Sequence, residues 1–442
     1  MPVWRKVLKR LVGAQQPKVA PGMQGSHPVS VHLEANLAYI DALFADVADL
    51  VCRRLHVGQR RAALIYFRGI TDSKLIQQGV VGSLLQCKRS ADVQDVKECL
   101  SAGNLNCVSD LNQALHEMLD GRVLLLCHGL SAAVTIEAVK FAKRAIAEPK
   151  SDAAIIGPQE GFIESIEDNF ALVRRRLRTA KLKSRVLRLG VLTRTPVLIC
   201  YLQDRVDKQV LTEVEKRLKY LQKAESLPQV LDSTYIAESI SDHPRFPFPQ
   251  IIQTERPDVV VAHLVEGRVC LFVDGSPIVL AMPAGFFDFL QTADDYYLHP
   301  IFATVARWIR LLALVTSTSA SAIYVAITTF HYEVIPSRLL LSVARTRGMV
   351  PLSSFVEALV MEVTIELLRE ATVRLPATVG QVIGVVGALV VGQAAVQAGI
   401  VSPLLVIVVA ISTIAAFAIP NNEQASALRL LRFPMLISAN FL

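Results

Sequence analysis

The sequence predicts an α/β (α+β) region of two related subdomains followed by an all-α polytopic membrane domain. Three observations carry that prediction: charge and apolar residues segregate along the chain, the polar part repeats itself, and the apolar part holds uncharged stretches of membrane-spanning length. The chain has 442 residues, of which 52% are hydrophobic. Its mean hydropathy of +0.41 is high for a soluble protein, yet 19% of residues are charged. Residues 1–305 hold most of the charge and all seven cysteines, whereas 306–442 is dominated by Val, Ala, Leu and Ile. A split of this kind implies two classes of domain, the soluble one first.

Residues 1–30 read as a basic tail and linker. MPVWRKVLKRLVG mixes basic with apolar residues and lacks the uninterrupted apolar core of a secretory signal, so the polar part is expected to stay in the cytoplasm. Arg5, Lys6, Lys9, Arg10 and Lys18 with Trp4, Val7, Leu8 and Leu11 suit either an anionic membrane surface or a solvated terminus. A second basic block runs from Arg174 to Arg188. Neither forms a nucleic-acid recognition motif, so no nucleic-acid partner is expected.

Residues 31–150 form the expected first subdomain. LEANLAYIDALFADVADLVCRRL carries helical periodicity, AALIYFRG reads as a buried strand, helices are expected over 71–86 and 107–119, and RVLLLCHG with AAVTIEAV as a β-hairpin. Residues 151–305 form the second. VLICYLQD resembles AALIYFRG, and each is followed by a helical segment with Asp and Lys. DGRVLLLCHGLSAAVTIE matches EGRVCLFVDGSPIVLAMP. An old duplication explains this order. The seven cysteines are odd in number and form no CxxC pair, which suits reduced, packed thiols. No phosphate-binding glycine loop, GxSxG or HExxH occurs, so no catalytic, cofactor-binding or metal-binding residue is assigned and no enzyme is expected.

FPFPQIIQTERPD (246–258) is held extended by its prolines, and Glu255, Arg256, Pro257 and Asp258 make it a candidate coupling connector. From residue 306 onward the chain is expected to cross a membrane four times. LLALVTSTSASAIYVAITTF (311–330) is twenty residues without charge, and 381–399 and 401–419 are two further spans. With 352–373 as a crossing, Arg307, Arg310, Arg369, Arg374, Arg429 and Arg432 fall inside, in line with the positive-inside rule. Arg338, Arg345 and Arg347 fall in an outer loop, which suits an interfacial or re-entrant helix. Gly380, Gly384, Ala388 and Gly392 recur every fourth residue and form a flat helix-packing face.

The candidate functional residues lie just before that face. EALVMEVTIELLREATVRLP (357–376) places Glu362, Glu366 and Glu370 on one side of a helix, with Arg369 and Arg374 beside them and Glu357 pointing the other way. A charged side chain at mid-bilayer costs about 3 kcal/mol, so the stripe must face water, other charges or protein. Internal pairing (Glu366 with Arg369, Glu370 with Arg374), an acidic path completed by several subunits as cation-selecting rings, and a proton-coupled site all remain open.

Several long motifs in order resemble the A subunits of spore germinant receptors, the GerA family. They are PFPQIIQTERPD, GRVCLFVDGSPIVLAMP, TADDYY, EALVMEVTIELLREATVRLP and GQVIGVVGALVVGQAAVQAGIVS, with IEDNFALVRRRL at 166–177. The resemblance covers the chain from about residue 150 and is weaker before. It implies a multi-pass subunit of the spore inner membrane with its N-terminal domain in the cytoplasm. It also implies partnership with a transporter-like B subunit and a lipoprotein C subunit, and homo-oligomerisation into a ligand-gated cation channel that starts germination. The same motifs fit a stage V sporulation homologue that amplifies ion release, and a non-conducting membrane scaffold or a secondary transporter are the other classes. Val350-Pro351-Leu352-Ser353 lacks the second proline of the family's VPFP pattern, and the membrane domain is expected to be truncated at its C-terminal end.

Overall fold

The computed structural model describes residues 25–87, 92–100, 104–140, 157–223, 232–348 and 350–441. The basic tail (Arg5, Lys6, Lys9, Arg10, Lys18) and the linker up to residue 24 lie outside the described residues. Chain contacts divide the protein into one unit of residues 1–242 with 251–283, and a second of 243–250 with 284–442.

The first unit is built on two five-stranded sheets. One contains β1 (Leu50–Val57), β2 (Arg60–Phe67), β3 (Leu105–Val108), β4 (Arg122–Cys127) and β5 (Ala133–Glu137) in the order β1-β2-β4-β5-β3. The other contains β6 (Leu182–Leu189), β7 (Thr195–Leu202), β8 (Ile252–Thr254), β9 (Val269–Val273) and β10 (Val279–Met282) in the order β6-β7-β9-β10-β8. Every pairing is antiparallel. Strand for strand the two orders are the same, so the repeat seen in the sequence is a repeat of topology. The expected hairpins are β4–β5 and β9–β10. Gly121 and Gly267, the glycines of DGRV and EGRV, both take left-handed φ values, +98° and +94°; a Cβ at Gly267 would overlap the Arg205 carbonyl oxygen.

Period-two alternation sends each strand's side chains to two covered faces. Ala63, Ile65, Phe67, Leu124 and Leu126 pack with α1 (Leu33–Leu43) and α4 (Leu111–Leu119). Ala62, Leu64, Val123 and Leu125 pack instead with α2 (Ser73–Leu75, a π-helical stretch Ile76–Val81, and Gly82–Gln86) and α3 (Val93–Cys99). In the second sheet, Val197, Ile199, Leu271 and Val273 face α6 (Lys208–Lys223) and α7 (Ser233–Ile240). Leu198, Cys200, Cys270 and Phe272 face α5 (Ile166–Arg176) and α8 (Pro257–Val265). Side-chain caps start most of these helices: Asp72, Asp110, Ser165 and Asp232 each accept a backbone N–H of the following turn.

Three expectations are corrected. The helical run 33–55 ends near Phe44, where Asp46 takes a φ of +61°, and its second half is edge strand β1. The helix expected over 107–119 begins only at Leu111, because 105–108 pairs with β5 as β3. The cysteines are not all free thiols. Cys87 and Cys99, whose Cα atoms lie 5.5 Å apart, form a disulfide between α2 and α3. Sequence spacing gave no sign of it, since the two meet only because both helices cover the same face.

The second unit is helical. It contains α9 (Pro300–Thr329), α10 (Ser337–Arg347), α11 (Ser354–Arg374), α12 (Ala377–Gln397), α13 (Pro403–Phe417) and α14 (Asn422–Ala439). With 30 residues, α9 is about 45 Å long and, among the described residues, is the one helix long and apolar enough to cross a membrane. The apolar α13 has 15 residues.

Candidate functional site

The acidic residues of α11 form a graded series. Glu362 is buried (2% exposed side chain) and pairs with Arg432 of α14, itself 4% exposed. Its other oxygen accepts the hydroxyl hydrogen of Ser321 on α9 at 2.5 Å. Arg432 also donates to the Ser317 and Ser412 carbonyls at 2.9 and 3.5 Å, so its donors tie α9, α11, α13 and α14 together. One turn on, Glu366 is partly exposed and accepts from Arg429 Nε at 3.2 Å. A turn further, Glu370 is exposed and pairs with Arg374 at 2.6 Å. The expected Glu370–Arg374 pair is present. The expected Glu366–Arg369 pair is replaced: Arg429 takes Glu366, and the Arg369 guanidinium lies 5.3 Å from the Phe417 ring centroid.

Glu357 faces away from this seam and is fully buried. The glycine face of α12 meets α11 of the same chain: a Cβ at Gly380 would stand 2.7 Å from the Thr372 carbonyl oxygen, and one at Gly384 3.5 Å from Thr372 Cγ2. Gly392 has Val406 of α13 as its neighbour at 3.9 Å, and the Ala388 side chain lies outside those described. Arg310, on α9, clasps both oxygens of Asp295, which precedes the helix, at 2.6 and 2.9 Å. Burial pushes the Asp295 carboxyl up, but the Arg310 and Thr292 hydrogen bonds outweigh it and leave it below the usual carboxylate range.

The connector residues divide in role. Arg256, buried in the first unit, pairs with Asp258 at 2.7 Å; Pro257 opens α8; the Glu255 carbonyl accepts the Phe162 N–H at 2.8 Å. Sequence reasoning did not foresee the Arg429 and Arg432 partners. Two arginines three apart in the apolar run LRLLRFPML were the available signal, but pairing across 70 positions is not a local property.

Among the described residues, no group of three His, Cys, Asp or Glu is placed to hold a metal. Fold and seam define a class of chain in which a duplicated antiparallel α/β region precedes a helical unit cross-linked by buried ion pairs. The family described as Bacillus/Clostridium GerA spore germination protein matches residues 38–442. Spore germination protein KA of Bacillus subtilis is 37% identical over 93% of this chain and 76% of its own length. GerQA of Bacillus cereus is 36% identical over 89% and 78%. The uncharacterized membrane protein YfkQ of Bacillus subtilis is 36% identical over 93% and 80%. The crystal structure of the N-terminal domain of the A subunit of the Bacillus megaterium spore germinant receptor GerK3 aligns with a TM-score of 0.46 at 27% identity, over 60% of this chain and 99% of that one. The chain belongs to the GerA family of spore germination proteins.

Proposed function

We propose that this chain is the membrane subunit of a nutrient germinant receptor, acting with transporter-like and lipoprotein subunits, and that copies of it assemble into a ligand-gated cation channel of the spore inner membrane. Family membership supports the role in germination, and the helical unit supports the membrane placement. Four crossings by 311–330, 352–373, 381–399 and 401–419 belong to this proposal, with residues 1–305 on the cytoplasmic side. The connector Glu255–Asp258 is the coupling element within it.

The observation that carries the channel reading is the gradient along α11. Glu362 is neutralised inside the bundle, whereas Glu366 and Glu370 keep exposed surface, 41% and 63% of their side chains. Carboxylates on one helix face that remain accessible are the groups a ring of subunits turns toward a cation path. The test is early potassium release from spores carrying the chain and its partner subunits, against Glu366→Gln at equal membrane abundance. Slowed release is expected. Unchanged release removes Glu366 from the path and favours a scaffold, a reading that the internal pairing of all three carboxylates also supports.

A further inference from the structure

Glu357 is the one fully buried carboxylate of the helical unit that no arginine reaches among the described residues. It sits in the first turns of α11, and its Oε2 accepts the Ser402 N–H at 3.0 Å, where Ser402 caps α13. The Ser402 hydroxyl lies 3.0 Å from the Tyr324 hydroxyl of α9. One turn back along α11, Ser354 accepts the Thr328 hydroxyl at 2.9 Å. Ser402, Ser354 and Tyr324 are themselves buried. Three helices therefore bring hydroxyl oxygens to the neighbourhood of one carboxylate, and the second carboxylate oxygen, Glu357 Oε1, is buried with no hydrogen-bond partner.

We infer that Glu357, with the hydroxyls of Tyr324 and Ser402, forms a binding site for one alkali cation. A buried carboxyl oxygen with no hydrogen-bond partner is strongly unfavourable, and a single N–H on the other oxygen does little to balance a carboxylate charge. A water satisfies the oxygen but leaves the charge; a singly charged cation answers both. The donors are hard oxygens, one anionic and the rest neutral, which suits sodium or potassium. A divalent ion calls for more carboxylates than one. The guanidinium of Arg347, which donates to the Thr328 carbonyl at 3.1 Å, offsets part of the carboxylate charge, so the site takes at most a single positive charge.

The site concerns occupancy within one chain and is independent of conduction. The test uses the full chain purified in detergent, with its thermal unfolding followed as sodium or potassium chloride replaces choline chloride at constant ionic strength. A saturable rise in Tm with an alkali cation is expected, absent in Glu357→Gln and shifted to higher concentration in Tyr324→Phe. The same response in Glu357→Gln, or none in the wild-type chain, overturns the inference and leaves water at Oε1. If Glu357→Gln does not fold, equilibrium binding of radiolabelled sodium and potassium decides: saturation near a single ion per chain, weakened in Tyr324→Phe, upholds it, and no saturable binding overturns it. Neither readout depends on potassium release, so this site and the channel reading fail separately.

Discussion

Arg432 and Glu362, seventy positions apart, meet at 2.5 Å with almost no exposed side-chain surface. Each makes the other tolerable in a low-dielectric bundle. The Ser317 and Ser412 carbonyls accept from the other two guanidinium nitrogens, and the Ser321 hydroxyl donates to the other carboxylate oxygen.

Removing one partner strands the other. Arg432→Met is expected to destabilise the helical unit by about 3–5 kcal/mol, because Glu362 is left buried and charged. The double variant Glu362→Met with Arg432→Met recovers most of that loss, since an apolar pair of similar volume needs no compensation. Thermal unfolding of the detergent-solubilised chain checks both. An equal loss in the single and double variants would show that the arginine acts through packing instead of charge.

The two halves of the α/β unit are joined by a comparable device. Arg174 of α5 is fully buried, forks the carboxylate of Asp49 at 3.1 and 2.7 Å, and lies 4.7 Å from the Phe67 ring centroid and 5.1 Å from that of Phe170. Arg174→Met keeps the stem and removes the fork. A loss of about 3–5 kcal/mol is expected from the stranded Asp49, read as a lower denaturation midpoint. Limited proteolysis of the α/β unit should quicken with it, and unchanged cleavage would place the joint elsewhere.

How much of this was legible in the sequence follows from the range of each interaction. AALIYFRG and VLICYLQD are apolar runs bounded by turns, and they are the central strands β2 and β7. The repeat was readable because its glycines and hairpins are local. By contrast, LVCRRLHV continues a helical periodicity, and only pairing with β2 makes it a strand. The spacing of Glu362, Glu366 and Glu370 revealed a charged helix face. It did not reveal that Glu362 is neutralised by an arginine seventy residues away, nor that Arg174, the first residue of the second basic block, is fully buried.

Acid should weaken the same joint. Arg185 hydrogen-bonds Asp46 at 2.8 Å, and this contact, opposed by partial burial, holds the Asp46 carboxyl below its ordinary value. A depressed folded-state pKa means that the contribution is fully present above about 3.9 and is lost as pH falls through the lower folded value. Both side chains are partly exposed, so the effect is modest. Wild-type and Asp46→Asn chains should therefore differ in stability at neutral pH and begin to converge only as pH falls from about 4 through the lower folded value. A difference that persists in acid assigns the loss to geometry.

The close approach of α11 and α12 turns on a missing side chain. The backbone at Gly380 lies so near Thr372 that an added Cβ would stand 2.7 Å from its carbonyl oxygen, inside any real contact distance. Backbone cannot swing aside as a flexible side chain can. Gly380→Ala must therefore move one helix, at an expected cost of about 1–3 kcal/mol. Gly384→Ala, where the nearest atom is the Thr372 methyl at 3.5 Å, meets only ordinary contact and should cost little. Comparing the two in thermal unfolding separates overlap from the general effect of adding a methyl group. If both variants unfold like the wild type, the packing of α12 on α11 is looser than this geometry requires. If Gly380→Ala also slows potassium release while Gly384→Ala does not, the spacing of these two helices bears on the proposed ion path as well as on the stability of the bundle.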